Sequence, residues 1–390
     1  MKVLHVVRRY GPVGGMERYV WELTRELRKL GHEVEVLCEV CLAEKPNGHD
    51  RNVAPDDETC HARFPLPNPL PQAGEGANGS LREFHVNDIA VHELGRIAWR
   101  PRWLSLLRFG WRAARWLKKH PHPDWLIHSH ERINVHHVTT FHGPPFAGVF
   151  EKPFWRLLSI RVLMQLYLER RELTGPHCIV PNSQVISNQL AHYYPQLAGK
   201  LTVPVVPGVQ PGKLRAQRTA PAGGGVIGFV GKEWQRKGLP LAAEIVARLR
   251  RIRPELELWV VGPQPEEIRH LFAGWRGGYR LLGWSGQSYY AEFDVLLHPA
   301  KAEPYGMVVS EAMAAKVPVV VSDVCGAAAQ VAPDAGAVLP LSASLEAWAS
   351  AVEEQLRRST PVPQFERSWH EAAREYEKIY QACLMVKSDG

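Results

Sequence analysis

Between residues 293 and 322 the chain reads FDVLLHPA, KAEPYG, MVVSEAMAAK and VPVVVS. That is a short apolar strand, a polar loop, a helical stretch starting near Tyr305 or Gly306, and a second apolar strand. Two strands of continuous Val and Leu joined through a helix are parallel and covered on both faces, which restricts the chain to an α/β architecture. The polar residues fall at the first strand's carboxyl end, where open α/β sheets bind ligands. Glu303 and Glu311 stand there with seven residues between them, one ahead of the helix and the other inside it. The first amides of such a helix, those of Gly306, Met307 and Val308, have no acceptor within it and carry the positive end of its dipole, so an anion fits between the two carboxylates. A diphosphate-linked sugar would put phosphate on those amides, sugar hydroxyls on Glu303 and ribose hydroxyls on Glu311. The plain alternative is a first-turn dipole partner and a solvated glutamate; the flanking strands favour the ligand.

The same grammar runs through the rest of the chain. VLHVV, a helix with Met16, Val20, Leu23, Leu27 and Leu30 at three- and four-residue steps, and EVEVLC open it. WLIHSH, HHVTTFHG, a long helical stretch and HCIVPNS follow. After a Pro- and Gly-rich linker near 207–225 come GVIGFVG, LPLAAEIVARLRRI and LELWVVG. With 390 residues the chain exceeds what one core supports. The expectation is α/β with two facing Rossmann-like domains and a cleft between them: residues 1–207, joined by a C-terminal helix over 364–390, and residues 208–363. Residues 44–84, rich in Pro, Gly and charge without a period, read as a mobile insertion.

Charge and cysteine content narrow the function. Lys and Arg number 47 against 40 Asp and Glu, so the chain favours phosphate-bearing partners. Six cysteines in this length do not make a disulfide framework. Cys38 and Cys41, with Cys60 and His61, lack the second close pair of a zinc site. Histidines 128, 130, 136, 137 and 142 cluster, and His128 and His130 share a strand face, yet hydrogen-bonded core histidines explain them better than a metal. No apolar run is long enough to span a bilayer, and MKVLHVV reads as a first strand rather than an export signal, so cytoplasmic residence is expected.

Two glycine-bearing elements add to the carboxylate pair. GFVGKEWQRKG places Lys232, Arg236 and Lys237 beyond the first strand of the second half, where fixed cations would neutralise a departing diphosphate. GPVGGMERY follows the very first strand, but Gly11, Gly14 and Gly15 do not spell the dinucleotide fingerprint, and a tight turn explains them equally well. His142 differs from the other histidines because TFHGPP puts it at a strand end before a glycine and two prolines.

Taken together, GPVGG, GKEWQRKG, WVVGPQ and EPYGMVVSEA resemble the family 4 retaining glycosyltransferases of the two-Rossmann GT-B fold. Within them, DVLLHPAKAEPYGMVVSEAMAAKVPVVVSDVCG is similar to the lipopolysaccharide core glucosyltransferases that use UDP-glucose. The resemblance implies a metal-independent transfer, without a cofactor, from a nucleotide-diphosphate sugar to a glycolipid or lipopolysaccharide core acceptor. It implies donor contacts by Glu303, Tyr305, Gly306, Met307, Val308 and Glu311, diphosphate contacts by Lys232, Arg236 and Lys237, approach of Gly15 to the phosphates, and contact of His142 with the donor sugar. Lys232 stands where relatives often have arginine, which removes the bidentate grip and keeps the charge. No carboxylate of the first half declares itself a nucleophile, so a same-face displacement is expected.

Other nucleotide-sugar chemistry on the same fold remains open, including GDP-mannose or UDP-N-acetylglucosamine transfer and epimerisation. A nucleic-acid binder is the reading from another class, but no zinc-finger, RNP or GXXG pattern supports it, and no nucleic-acid partner is expected. Two stretches mix aromatics with Arg and Lys as interfacial helices do, residues 96–119 and 150–171. Either suits an anionic membrane surface, which would make the protein peripheral on the inner face; either equally suits a core helix with a solvated basic face.

Overall fold

The computed structural model describes residues 1–43, 82–96, 101–210, 212–217, 219–284 and 286–388. Thirteen strands are found among them: β1 (Lys2–Tyr10), β2 (Glu33–Cys41), β3 (Arg82–Val86), β4 (Ile89–Glu93), β5 (Leu126–Ser129), β6 (Val138–Phe141), β7 (Cys178–Pro181), β8 (Gly224–Val230), β9 (Glu255–Val261), β10 (Tyr279–Gly283), β11 (Val295–His298), β12 (Val319–Ser322) and β13 (Gly336–Leu339). The α-helices are α1 (Met16–Lys29), α2 (Arg102–Lys119), α3 (Ile160–Thr174), α4 (Gln184–Tyr193), α5 (Leu239–Leu249), α6 (Pro265–Ile268), α7 (Met307–Ala314), α8 (Leu345–Arg357) and α9 (Trp369–Ser388).

The strands form two sheets, ordered β3-β4-β2-β1-β5-β6-β7 and β10-β9-β8-β11-β12-β13. Pairing is parallel from β4 through β2, β1 and β5 to β6 and throughout the second sheet, while the edge hairpin β3–β4 is antiparallel. Each sheet therefore starts in its middle and grows outward both ways, the doubly wound order of a Rossmann-like fold. By internal contacts the chain divides into two compact units, Met1–Thr139 with Arg170–Pro176, and Thr140–Glu169 with His177–Gly390.

Burial explains why these segments are strands. Residues 295–298 and 319–322 are buried without a break, and the second sheet is covered on both faces. One cover is α5 with α8, through Ile245, Leu249, Trp348 and Val352; the other is α7, through Val309, Ala312 and Met313.

Two boundaries differ from expectation. The expected insertion lies outside the described residues over 44–81, but its last three positions open β3, because Asn87 and Asp88 adopt positive φ and turn the chain into a hairpin that pairs Phe84 with Val91. The final helix starts at Trp369 rather than Gln364. Ser368 Oγ accepts from the Glu371 amide while the Glu371 carboxylate accepts from the Ser368 amide, a capping box that fixes the start. Within that helix, the Tyr376 hydroxyl shares a buried 2.6 Å hydrogen bond with Thr140 of β6.

Candidate active site

In the second sheet the strand order reverses between β8 and β11, and the loops leaving these two strands carry the candidate residues. The loop after β11 contains Glu303 and leads into α7. Gly306 caps that helix with φ 93°, a left-handed conformation that glycine adopts without strain. A Cβ there would lie 2.7 Å from Cys325 Sγ and 3.1 Å from Glu303 Cγ, so the closeness of the loop to its neighbours also requires glycine. The loop is held through its backbone: the Gly326 amide donates to the Glu303 carbonyl at 2.9 Å, the Ala327 amide and Cys325 thiol donate to the Tyr305 carbonyl, and Ser183 Oγ donates to the Pro304 carbonyl at 2.6 Å. Ser183 is also the N-cap of α4, accepting from the Ile186 amide.

From the loop after β8, Lys237 places its ammonium 2.7 Å from Glu303 Oε2, and Arg236 reaches the same oxygen at 3.5 Å. Gly231 makes the first contact possible, since a Cβ on it would occupy the path of the Lys237 stem. Arg236 also donates to Glu233 and to the Ala302 carbonyl, tying the two loops together. Glu303 is only 8% exposed. Burial alone would raise its pKa, but the neighbouring His298, Lys237 and Arg236 outweigh that and hold the carboxyl well below its ordinary range. Two of the three cations expected near a diphosphate, Arg236 and Lys237, are thus brought together on the carboxylate expected to hold a sugar. Lys232 stands apart, its ammonium 3.9 Å from the centre of the Trp284 ring.

The remaining expected residues occupy distinct settings. Glu311, on α7, accepts from the Tyr290 hydroxyl at 2.6 Å, a partner that no sequence signal singled out. Met307 and Val308 form the first turn of α7. The Tyr305 ring is buried and shares a hydrogen bond with Ser310. In the other unit, Gly15 precedes α1 with open space where a Cβ would go. His142 follows β6; burial lowers its pKa to about 3, leaving the imidazole neutral, and its carbonyl accepts from Asn182.

Sequence reading missed two groups, one fully buried and one half-buried. His298 ends β11 fully buried beside Glu303. Glu131, beyond β5, has its pKa raised to about 7 by burial, against the opposing pull of Arg8, whose amide donates to it. Of the clustered histidines, His136 contacts the Glu172 carbonyl and His137 accepts from the Ile127 amide. His128 and His130 instead meet His5, and the ligand atoms of these three lie within 4.8 Å of one another. This is the one grouping with metal-ligand geometry among the described residues, and it contains no carboxylate to offset a divalent charge in the core.

Comparison with known proteins bears on the family and the fold. Residues 13–209 match the family model described as Glycosyltransferase Family 4, and residues 224–358 match that described as Glycosyl transferases group 1. A D-inositol 3-phosphate glycosyltransferase of Segniliparus rotundus is 26% identical over 89% of this chain and 77% of its own length. The lipopolysaccharide glucosyltransferase WaaG of Escherichia coli is 33% identical over 38% of this chain and 40% of its own. Among solved structures, WaaG, a glycosyltransferase involved in lipopolysaccharide biosynthesis, superposes with a TM-score of 0.71 at 19% identity, covering 96% of this chain and 94% of that one. The Anabaena protein HepE in complex with UDP gives 0.63 at 14% identity, covering 98% and 100%. The chain belongs to glycosyltransferase family 4 and is a glycosyltransferase of the GT-B fold.

Proposed function

We propose that the protein moves a hexose, with retention of configuration, from a nucleotide-diphosphate sugar to a lipid-linked or lipopolysaccharide core sugar, with UDP-glucose as donor. The observation that carries this reading is the buried Glu303 carboxylate held by Lys237 and Arg236 beside the first turn of α7. Helix amides and two fixed cations are what a diphosphate leaving group requires as its negative charge develops. The same charges make a bound metal unnecessary for that task.

On this reading Lys237, Arg236 and the amides of Gly306, Met307 and Val308 receive the diphosphate, with Lys232 at the outer edge. Glu303 orients sugar hydroxyls and Glu311 the ribose. The neutral His142 imidazole and Gly15, on the acceptor-side domain of residues 1–207, serve the sugar and phosphates. The acceptor hydroxyl attacks the face from which the diphosphate leaves, and the departing phosphate oxygen takes its proton. A sugar trapped covalently on a protein carboxylate would overturn that step.

The protein acts on the cytoplasmic side as a peripheral membrane protein. Support comes from the stretch after β6, where Phe154, Trp155, Leu158 and Ile160 are 73%, 60%, 78% and 68% exposed, with Lys152, Arg156 and Arg161 exposed among them. α2, the other basic aromatic stretch, buries Phe109 and Trp116 in the core of the first sheet.

The decisive measurement is a donor panel of UDP-, GDP- and ADP-sugars with product analysis by NMR, run with and without EDTA. UDP-glucose turnover to an α-linked product, unchanged by chelation, is expected. A β-linked product or loss of turnover with EDTA refutes retention or metal independence respectively.

A further inference from the structure

His298 is fully buried, and neither ring nitrogen has a hydrogen-bond partner. Its Nε2 stops 3.5 Å from Glu303 Oε2, too far for a good hydrogen bond, while Lys237 sits on that oxygen at 2.7 Å. A buried donor left without an acceptor is costly, so an arrangement of this kind points to a second state in which the contact closes.

We infer that His298 is a positioning residue that takes over the Glu303 carboxylate when a diphosphate draws Lys237 and Arg236 away from it. This rests on the donor-site reading above. A diphosphate carries more charge than one carboxylate and competes for both cations. Once Lys237 turns to it, Glu303 becomes a buried carboxylate that has lost its closest partner, a state that would raise its pKa and let it protonate. His298 Nε2 lies 3.5 Å from the oxygen that Lys237 would vacate. Donating to it keeps Glu303 ionised and fixed, with its remaining lone pairs free to accept from sugar hydroxyls.

The charged groups acting on His298 are Glu303, Lys237 and Arg236; burial and the two cations keep the ring neutral in the free protein. A neutral ring with its proton on Nε2 is all that the role needs. The nucleotide diphosphate binds through the cations and amides, and His298 offsets the loss of those cations from Glu303 and so serves the diphosphate, the sugar part and the turnover step.

The test uses the full chain and three variants. Asparagine places its amide near the Nδ1 position of histidine and glutamine near Nε2, so His298→Gln is expected to retain turnover within about fivefold. His298→Asn and His298→Leu are expected to lose it by on the order of 100-fold. UDP, GDP and ADP are titrated by calorimetry, each beside its glucose and mannose sugar. Binding of the nucleotide diphosphate is expected to weaken in the Asn and Leu forms and not in the Gln form, because the diphosphate is what strips Glu303 of Lys237, and the extra affinity contributed by the sugar falls in the same two. The acid limb of kcat in those two moves to higher pH, since Glu303 then protonates more readily. Equal loss in the Gln and Asn forms, or an unmoved acid limb, overturns the inference even if the Leu form fails to fold. Failure of wild-type protein to bind any diphosphate in the panel overturns the donor-site reading instead.

Discussion

At the scale of single residues, the site is governed by how few partners a buried charge has. Lys237→Met removes the closest cation from Glu303 and leaves the carboxylate to Arg236 and His298. Breaking such a buried pair from one side costs about 3 kcal/mol, measurable by denaturant unfolding, and losing a phosphate cation lowers kcat by on the order of 100-fold. The pH dependence has a definite sign. The folded-state pKa of Glu303 is depressed, so its stabilising contribution is full above its unfolded-state value near about 4.3 and disappears as the pH falls toward the folded value. The melting-temperature gap between wild type and Glu303→Gln is therefore expected to be widest at pH 6 and to shrink toward pH 3. Glu131 runs the other way. Its folded pKa is raised to about 7, so the fold loses stability as the pH rises from about 4.3 through 7. Glu131→Gln is expected to raise the melting temperature at pH 8 and leave it little changed at pH 4. Glu303 was legible because the sequence supplies a loop between an apolar strand and a helix. Glu131 and His298 were not, because their shifts come from burial by chain segments far away in sequence.

At the scale of elements, local rules succeeded where the signal is local. The start of α7 was expected near Tyr305 or Gly306 and is at Met307, because a glycine with positive φ marks it directly. Apolar periodicity puts the start of α9 near Gln364, five residues early, because it does not register the Ser368–Glu371 capping box. That box makes its own prediction: Ser368→Ala removes the acceptor of the Glu371 amide and costs about 1 kcal/mol of stability, with affinity for nucleotide diphosphates unchanged. Urea unfolding beside calorimetry checks both halves. Strand order was only partly legible. The βα alternation indicates parallel sheets, but that β8 pairs with both β9 and β11, which sets the Lys237 and Glu303 loops side by side, depends on which buried faces the helices cover. The hairpin β3–β4 escaped notice because its turn, Asn87–Asp88, adjoins a stretch without any period.

At the scale of the whole molecule, the proposed lipid-linked acceptor makes the question which surface a basic chain would turn toward a membrane. Net charge is +7, yet charge alone does not choose between the two basic aromatic stretches. Burial does. α2 spends its Phe109 and Trp116 on the core and presents Arg115, Lys118 and Lys119 around a single exposed Trp111. The stretch from Phe150 to Tyr167 leaves seven large hydrophobic side chains exposed, far more than scattered surface residues of a soluble face. An interfacial segment combines apolar insertion with attraction to anionic headgroups, and only the second of these is screened by salt. Flotation with vesicles containing about one quarter phosphatidylglycerol is therefore expected to show binding that weakens but persists between about 0.05 and 0.5 M salt. Phe154→Ser, Trp155→Ser and Leu158→Ser together are expected to weaken it at every salt concentration, because three of the seven exposed apolar side chains of the stretch are gone. Replacing Arg115, Lys118 and Lys119 by glutamine is expected to reduce binding at low salt only. The reverse ranking of the two variants would move the membrane-facing surface to α2, and no flotation at low salt would remove it from the protein altogether.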